Sequence, residues 1–185
     1  MQRTAFVVVL TLALSVMARL PVSAADDLNC AYRLVPVSRT GSVTTAELDL
    51  LGCYATYEQA IEAGTAGAVD VPNGTTPTTL LETDLAPEVT TADVLIGTEF
   101  AGSGYGTPST SYFASATCSA SNTWQVNYVG DAVNDLFSSG KGFGGCDRNK
   151  KFHDADFAGA VLTCTPNCSD YGSLSNQVSS LRWKP

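Results

Sequence analysis

Two short polar runs carry the residue types best suited to chemistry. Asn134-Asp135-Leu136-Phe137-Ser138-Ser139 gathers a carboxamide, a carboxylate and two hydroxyls, and Ser175-Asn176-Gln177-Val178-Ser179-Ser180 repeats much of that pattern. Such oxygens suit a hard cation: Ca²⁺ takes about six to eight oxygens from carboxylates, amides, hydroxyls, carbonyls and water. The same side chains also close tight turns by bonding to nearby backbone, so the runs have a purely structural alternative. His153 is the only histidine, a general base or ligand by type. No motif pairs it with a nucleophile, and no Ser/His/Asp or Cys/His triad can be assembled, so an enzyme is not expected. Asp154-Ala155-Asp156 reads as a solvated bend. Gly140-Lys141-Gly142-Phe143-Gly144-Gly145 lacks the terminal Lys-Ser/Thr of a phosphate loop and reads as a flexible connection ending at Cys146.

The elements that must position the polar runs are aromatic hairpins. Phe152 and Phe157 stand five apart, followed by Gly159 and Cys164. Aromatics at that spacing cover a bend, and glycine tolerates a left-handed backbone there. Phe100 and Tyr105 repeat the spacing upstream. A duplicated unit of this size points to two supersecondary modules sharing one core. From Val94 onward short runs are separated by Gly-, Ser- and Asn-rich turns, and Trp124, Val126 and Tyr128 alternate as in a half-buried strand. That pattern suggests a mainly β sandwich.

An aromatic hairpin followed by N/D-N/D-x-x-S/T-S, twice in order, resembles the βγ-crystallin fold, in which two Greek keys pack as a sandwich. Residues 134–139 fit the polar pattern throughout, and 175–180 depart only at Ser175. Residues 152–164 fit the hairpin signature, while Thr107 stands where the first hairpin's glycine would be. The resemblance spans about residues 94–185 and implies a paired calcium site. The polar pairs Asn134-Asp135 and Ser175-Asn176 would line it, and the carbonyls of Leu136 and Gln177 would ligate. The hydroxyls of Ser138 and Ser179 would cross between sites, and the carbonyls of Ala101 and His153 would complete them. Some secreted bacterial metalloproteinase inhibitors are similar in fold, so inhibition of an extracellular peptidase is the alternative, through loops 164–175 or 140–150.

Residues 1–24 read as a secretory leader: Arg3, an apolar run from Phe6 to Ala18, and Val22-Ser23-Ala24 as a cleavage site. The run is shorter than the roughly 20 residues a membrane span needs, so no membrane partner is expected after cleavage. The 185 residues carry 10 Lys and Arg against 18 Asp and Glu, a net charge of −8. That balance argues against nucleic acid and anionic membranes. With no C-x-x-C pair, zinc is not expected, and six cysteines in a secreted chain read as three disulfides. Sequence alone leaves their connectivity open. The expected pairs are the local ones, Cys30–Cys53, Cys118–Cys146 and Cys164–Cys168.

Residues 25–71 read as a small α+β unit preceding the β domain. It has strands at 28–37 and 47–54, a helix at 57–63 and a further strand at 67–71. Thr56 and Gln59 form a capping box, and Gly64 is a plausible C-cap. Residues 72–93, rich in Thr, Pro and Asp, suit a linker. The chain is therefore expected to be a secreted, extracellular, disulfide-stabilised calcium-binding module.

Overall fold

The computed structural model describes residues 28–85 and 92–185. The leader and its cleavage point lie outside the described residues. Among the described residues the architecture is mainly β: nine strands in one continuous sheet that curls towards a barrel, with one short α-helix. In chain order the strands are β1 Asn29–Thr40, β2 Val43–Tyr54, β3 Val94–Gly102, β4 Gly106–Ala114, β5 Thr123–Val126, β6 Ser139–Gly142, β7 Arg148–Phe152, β8 Val161–Cys164 and β9 Ser180–Lys184. The helix, α1, covers Tyr57–Gly64.

The sheet order is β6-β3-β4-β1-β2-β5-β9-β7-β8. The run β6-β3-β4 is a Greek key in which the fourth strand returns beside the first, and β9-β7-β8 repeats it. The third strand of each key crosses to the other half. β5 pairs with β9, and a single bridge joins Cys168 to Gly140 of β6. Two interlocked Greek keys, as the sequence implied, therefore occupy residues 94–185.

The N-terminal residues do not form a sheet of their own. β1 and β2 make a hairpin closed at Gly41, whose φ of 59° is left-handed and supplies the turn geometry that joins twisted strands. β1 then runs parallel to β4, and β2 parallel to β5. The hairpin is thus the splice between the two keys. Val43-Thr44-Thr45 extends β2 beyond the expected 47–54 because it pairs with Thr123-Trp124-Gln125 of β5. β5, expected to be half-buried, is buried at all four residues, being enclosed between β2 and β9.

The core has two parts. Leu34, Ile96, Tyr112, Trp124, Val126, Leu181 and Trp183 fill one. In the other, Tyr57, Ala60 and Ile61 of α1 pack with Val71, Leu80, Leu95, Phe113 and Phe143. The helix begins with one half of the expected capping box: the Thr56 side chain accepts from the Gln59 N–H. It runs through Gly64, and Thr65 takes the C-cap position. A Cβ at Gly64 would collide with the Phe113 ring, so glycine is what lets the helix end lie against that ring.

Three other readings need correction. Residues 67–71 are turn and irregular chain, with Val69 and Val71 buried as plugs for the helical side. Residues 72–85 are not a loose linker. Leu80 and Leu85 are buried, Lys141 Nζ donates to the Pro77 carbonyl at 2.5 Å, and Gly144 N donates to Glu82 Oε1 at 2.7 Å. Residues 140–142 are not flexible; they belong to β6, hydrogen-bonded to β3. Much of the 140–150 stretch considered as an inhibitory loop is consequently strand, in β6 and β7.

All three expected disulfides are present. Cys30–Cys53 joins register partners of β1 and β2. Cys118–Cys146 ties the chain after β4 to the chain after β6. Cys164–Cys168 fastens β8 to the segment that bridges β6, drawing the two ends of the sheet together.

Candidate metal centre

Each aromatic hairpin ends in a T-shaped pair, Phe100 with Tyr105 at 5.6 Å and Phe152 with Phe157 at 5.5 Å between ring centroids. The second ring of each pair sits on a left-handed residue, Tyr105 at φ 67° and Phe157 at φ 63°. That folds it back over the first.

The polar runs dock on these hairpins in matching ways. Ser138 N donates to the Phe100 carbonyl at 2.7 Å, and Ser179 N donates to the Phe152 carbonyl at 2.9 Å. The loops also cross-bond: Asn176 N donates to the Phe137 carbonyl at 2.8 Å, and Asp135 N donates to the Val178 carbonyl at 3.3 Å. The two halves are thus related by a pseudo-twofold. Asp135 and Asn176 share a left-handed backbone, φ 58° and 57°, which Asn and Asp tolerate better than most residues. The second polar position of each run therefore has a backbone duty as well as an oxygen to offer.

The side chains converge unequally. Ser138 Oγ donates to Asn176 Oδ1 at 3.0 Å, joining the two runs directly. Asn134 Nδ2 donates to Asp135 Oδ2 at 2.8 Å, while its Oδ1 is buried without a hydrogen-bond partner. Ser175, the departure from the pattern, donates to Asp170 Oδ1 at 3.3 Å. Asp170 is a residue the sequence reading missed. It supplies a carboxylate beside the loop that lacks one at its first position, and nothing in the linear pattern places it there. Ala101 lies at a register shift of β3 against β4, outside the regular ladder. Leu136 and Gln177 are exposed.

His153 stands at the exposed end of β7, and its Nδ1 lies 2.6 Å from Asp154 Oδ1. That hydrogen bond, helped by the Asp154 charge, by Gln177 and by Asp135, raises the imidazole above the usual histidine range. A raised value means that the charged partnership favours the fold at pH below the ordinary histidine pKa. It is lost as pH climbs through the raised value. Asp154→Asn is expected to return His153 towards the ordinary range, read by NMR titration of the ring protons. An unmoved titration would show that Asp154 is not the cause.

Among the described residues no three His, Cys, Asp or Glu side chains cluster as a metal site. A cation between these loops would rest mostly on carbonyl, hydroxyl and amide oxygens. Ca²⁺ accepts that donor set, and softer transition metals do not favour it. The unpartnered Asn134 Oδ1 fits the same reading.

No protein-family model matches this chain, and neither does any curated protein. Several solved structures are similar to it. A βγ-crystallin from an archaeon is 20% identical and covers 48% of this chain and 96% of its own, with a TM-score of 0.35. The N-terminal domain of protein S is 21% identical over 47% of this chain and 92% of its own, also at 0.35. A double mutant of a βγ-crystallin domain from Clostridium beijerinckii is 18% identical over 48% and 96%, at 0.36.

Proposed function

We propose that the chain is a secreted, disulfide-stapled module whose paired loops bind Ca²⁺. The observation that carries this reading is the crossed docking of the two polar runs, with Ser138 Oγ of one on Asn176 Oδ1 of the other. It brings hydroxyl, carboxamide, carboxylate and strand-end carbonyl groups of the two halves towards one another about the pseudo-twofold. Three disulfides support an oxidising, extracellular setting. No helix among the described residues is long and apolar enough to cross a membrane.

The ion stiffens loops that are already folded, so modest affinity is expected, on the order of 10⁻⁵–10⁻³ M. A ligand that binds only the folded state raises stability by RT ln(1 + [L]/Kd), about 2.7 kcal/mol at a hundredfold excess over Kd. Millimolar Ca²⁺ should therefore raise the melting temperature of the wild type. Asp135→Ala should remove most of that rise. Ser175→Asp should enlarge it, because the new carboxylate faces Asp170 and the ion relieves their repulsion. A wild-type melting curve and a Ser175→Asp curve that both ignore 10 mM Ca²⁺, roughly tenfold above the weakest affinity expected, would reduce the loops to structural turns.

A further inference from the structure

The most deeply buried ionisable groups lie away from the loops. Glu99 of β3 and Lys151 of β7 are both buried, their side chains 0% and 1% exposed. They occupy matching positions in the two Greek keys, each just before the opening aromatic, Phe100 or Phe152. Lys151 Nζ donates to Glu99 Oε1, and the buried Tyr171 hydroxyl donates to Glu99 Oε2. Each carboxyl oxygen thus has its own donor. Gly140 packs against the cluster, and a Cβ there would strike both Tyr171 Oη and Glu99 Oε2. Leu181 is the cross-strand partner of Lys151, and with Tyr112 and Trp183, all fully buried, it shares the core cluster that holds Tyr171.

We propose that Lys151 Nζ condenses with the Glu99 carboxyl, forming an internal amide cross-link between β3 and β7. The step needs the Lys151 proton carried to Glu99 Oε1 along the hydrogen bond that already joins them, in a site so dry that an ammonium costs far more than in water. Burial weakens the ammonium's hold on that proton. The neutral amine then attacks the carbon of the carboxylic acid. Tyr171 holds Oε2 as negative charge develops on it, the role of an oxyanion donor. Oε1, on the lysine side, takes a proton from the nitrogen and departs as water, and Oε2 becomes the amide carbonyl. One C–N bond forms, one C–O bond breaks, and one water leaves; no oxidant or cofactor takes part. The nucleophile is held on one oxygen of the electrophile while Tyr171 holds the other, which is the positional advantage such a reaction needs.

The test is a peptide map of the purified, disulfide-reduced chain. The expected result is a branched peptide joining the Glu99 segment to the Lys151 segment, one water lighter than its two parts and uncut at Lys151. Glu99→Gln should give the same branched product by losing ammonia, and Glu99→Ala should give none. Tyr171→Phe should slow the conversion after refolding, and an unchanged rate would remove Tyr171 from the step. If the wild type yields separate Glu99 and Lys151 peptides of full mass, there is no cross-link and the pair is an ion pair only. That result needs no variant to fold and does not bear on the calcium loops.

Discussion

Lys151→Met is expected to destabilise the fold by about 3–5 kcal/mol, the usual cost of removing one partner from a buried ion pair. The loss has a specific origin. Lys151 and Glu99 are enclosed between the two Greek keys, so the variant strands a carboxyl with only Tyr171 to satisfy it. Converting both residues to methionine should recover much of the loss, because no uncompensated charge is then left in the core. Urea unfolding of the wild type, the single variant and the double variant gives the three numbers needed. A single variant within about 0.5 kcal/mol of wild type, the range of ordinary surface changes, would mean the site is wetter than its burial indicates. The proposed amide is open to the wild type alone, so it widens both gaps equally and leaves the difference between the single and double variants unchanged.

Removing Cys118–Cys146 by alanine at both positions is expected to cost about 3–4 kcal/mol, and removing Cys164–Cys168 only about 2 kcal/mol. The difference follows from the chain each bond closes, a separation of 28 residues against 4, since loop-closure entropy grows with loop length. Cys146 and Cys164 are both buried in the main core cluster, so burial adds to both figures and does not set their order. Equilibrium denaturation of both double variants settles the ranking. If the short-range pair proved the costlier to lose, its role in drawing β8 towards β6 would outweigh chain entropy.

Local features were legible in the sequence and edge-to-edge ones were not. The Thr56 cap, the three disulfides and the duplicated hairpin with its polar run depend on residues close together in the chain, and all are present. What failed depends on partners far away. Gly140 and Gly142 read as slack, yet they are glycine in a strand because Glu99 and Tyr171, and Asn149 and the Cys146 carbonyl, occupy the space a Cβ would need. Residues 72–85 have a linker's composition, but a few well-spaced apolar side chains suffice to seat them over the sheet. Glu99 and Lys151 carry the charges of solvent-facing strand positions, and only their mutual burial shows otherwise. Which strands flank β1 and β2 is written in backbone hydrogen bonds, which leave no side-chain signature.

That last feature governs the order in which the molecule can be made. The β1–β2 hairpin is synthesised before its outer neighbours, β4 and β5, and Asn29 must wait for Ser109, 80 residues later. Until then it is a lone two-stranded ribbon, marginal in water, with both edges open to any passing strand. The sheet can be completed only once β9 has arrived to hold β5. Folding should accordingly be slow for a chain of this size, as expected where distant pairings dominate. The unfinished hairpin is then the segment most exposed to misassembly during synthesis and refolding.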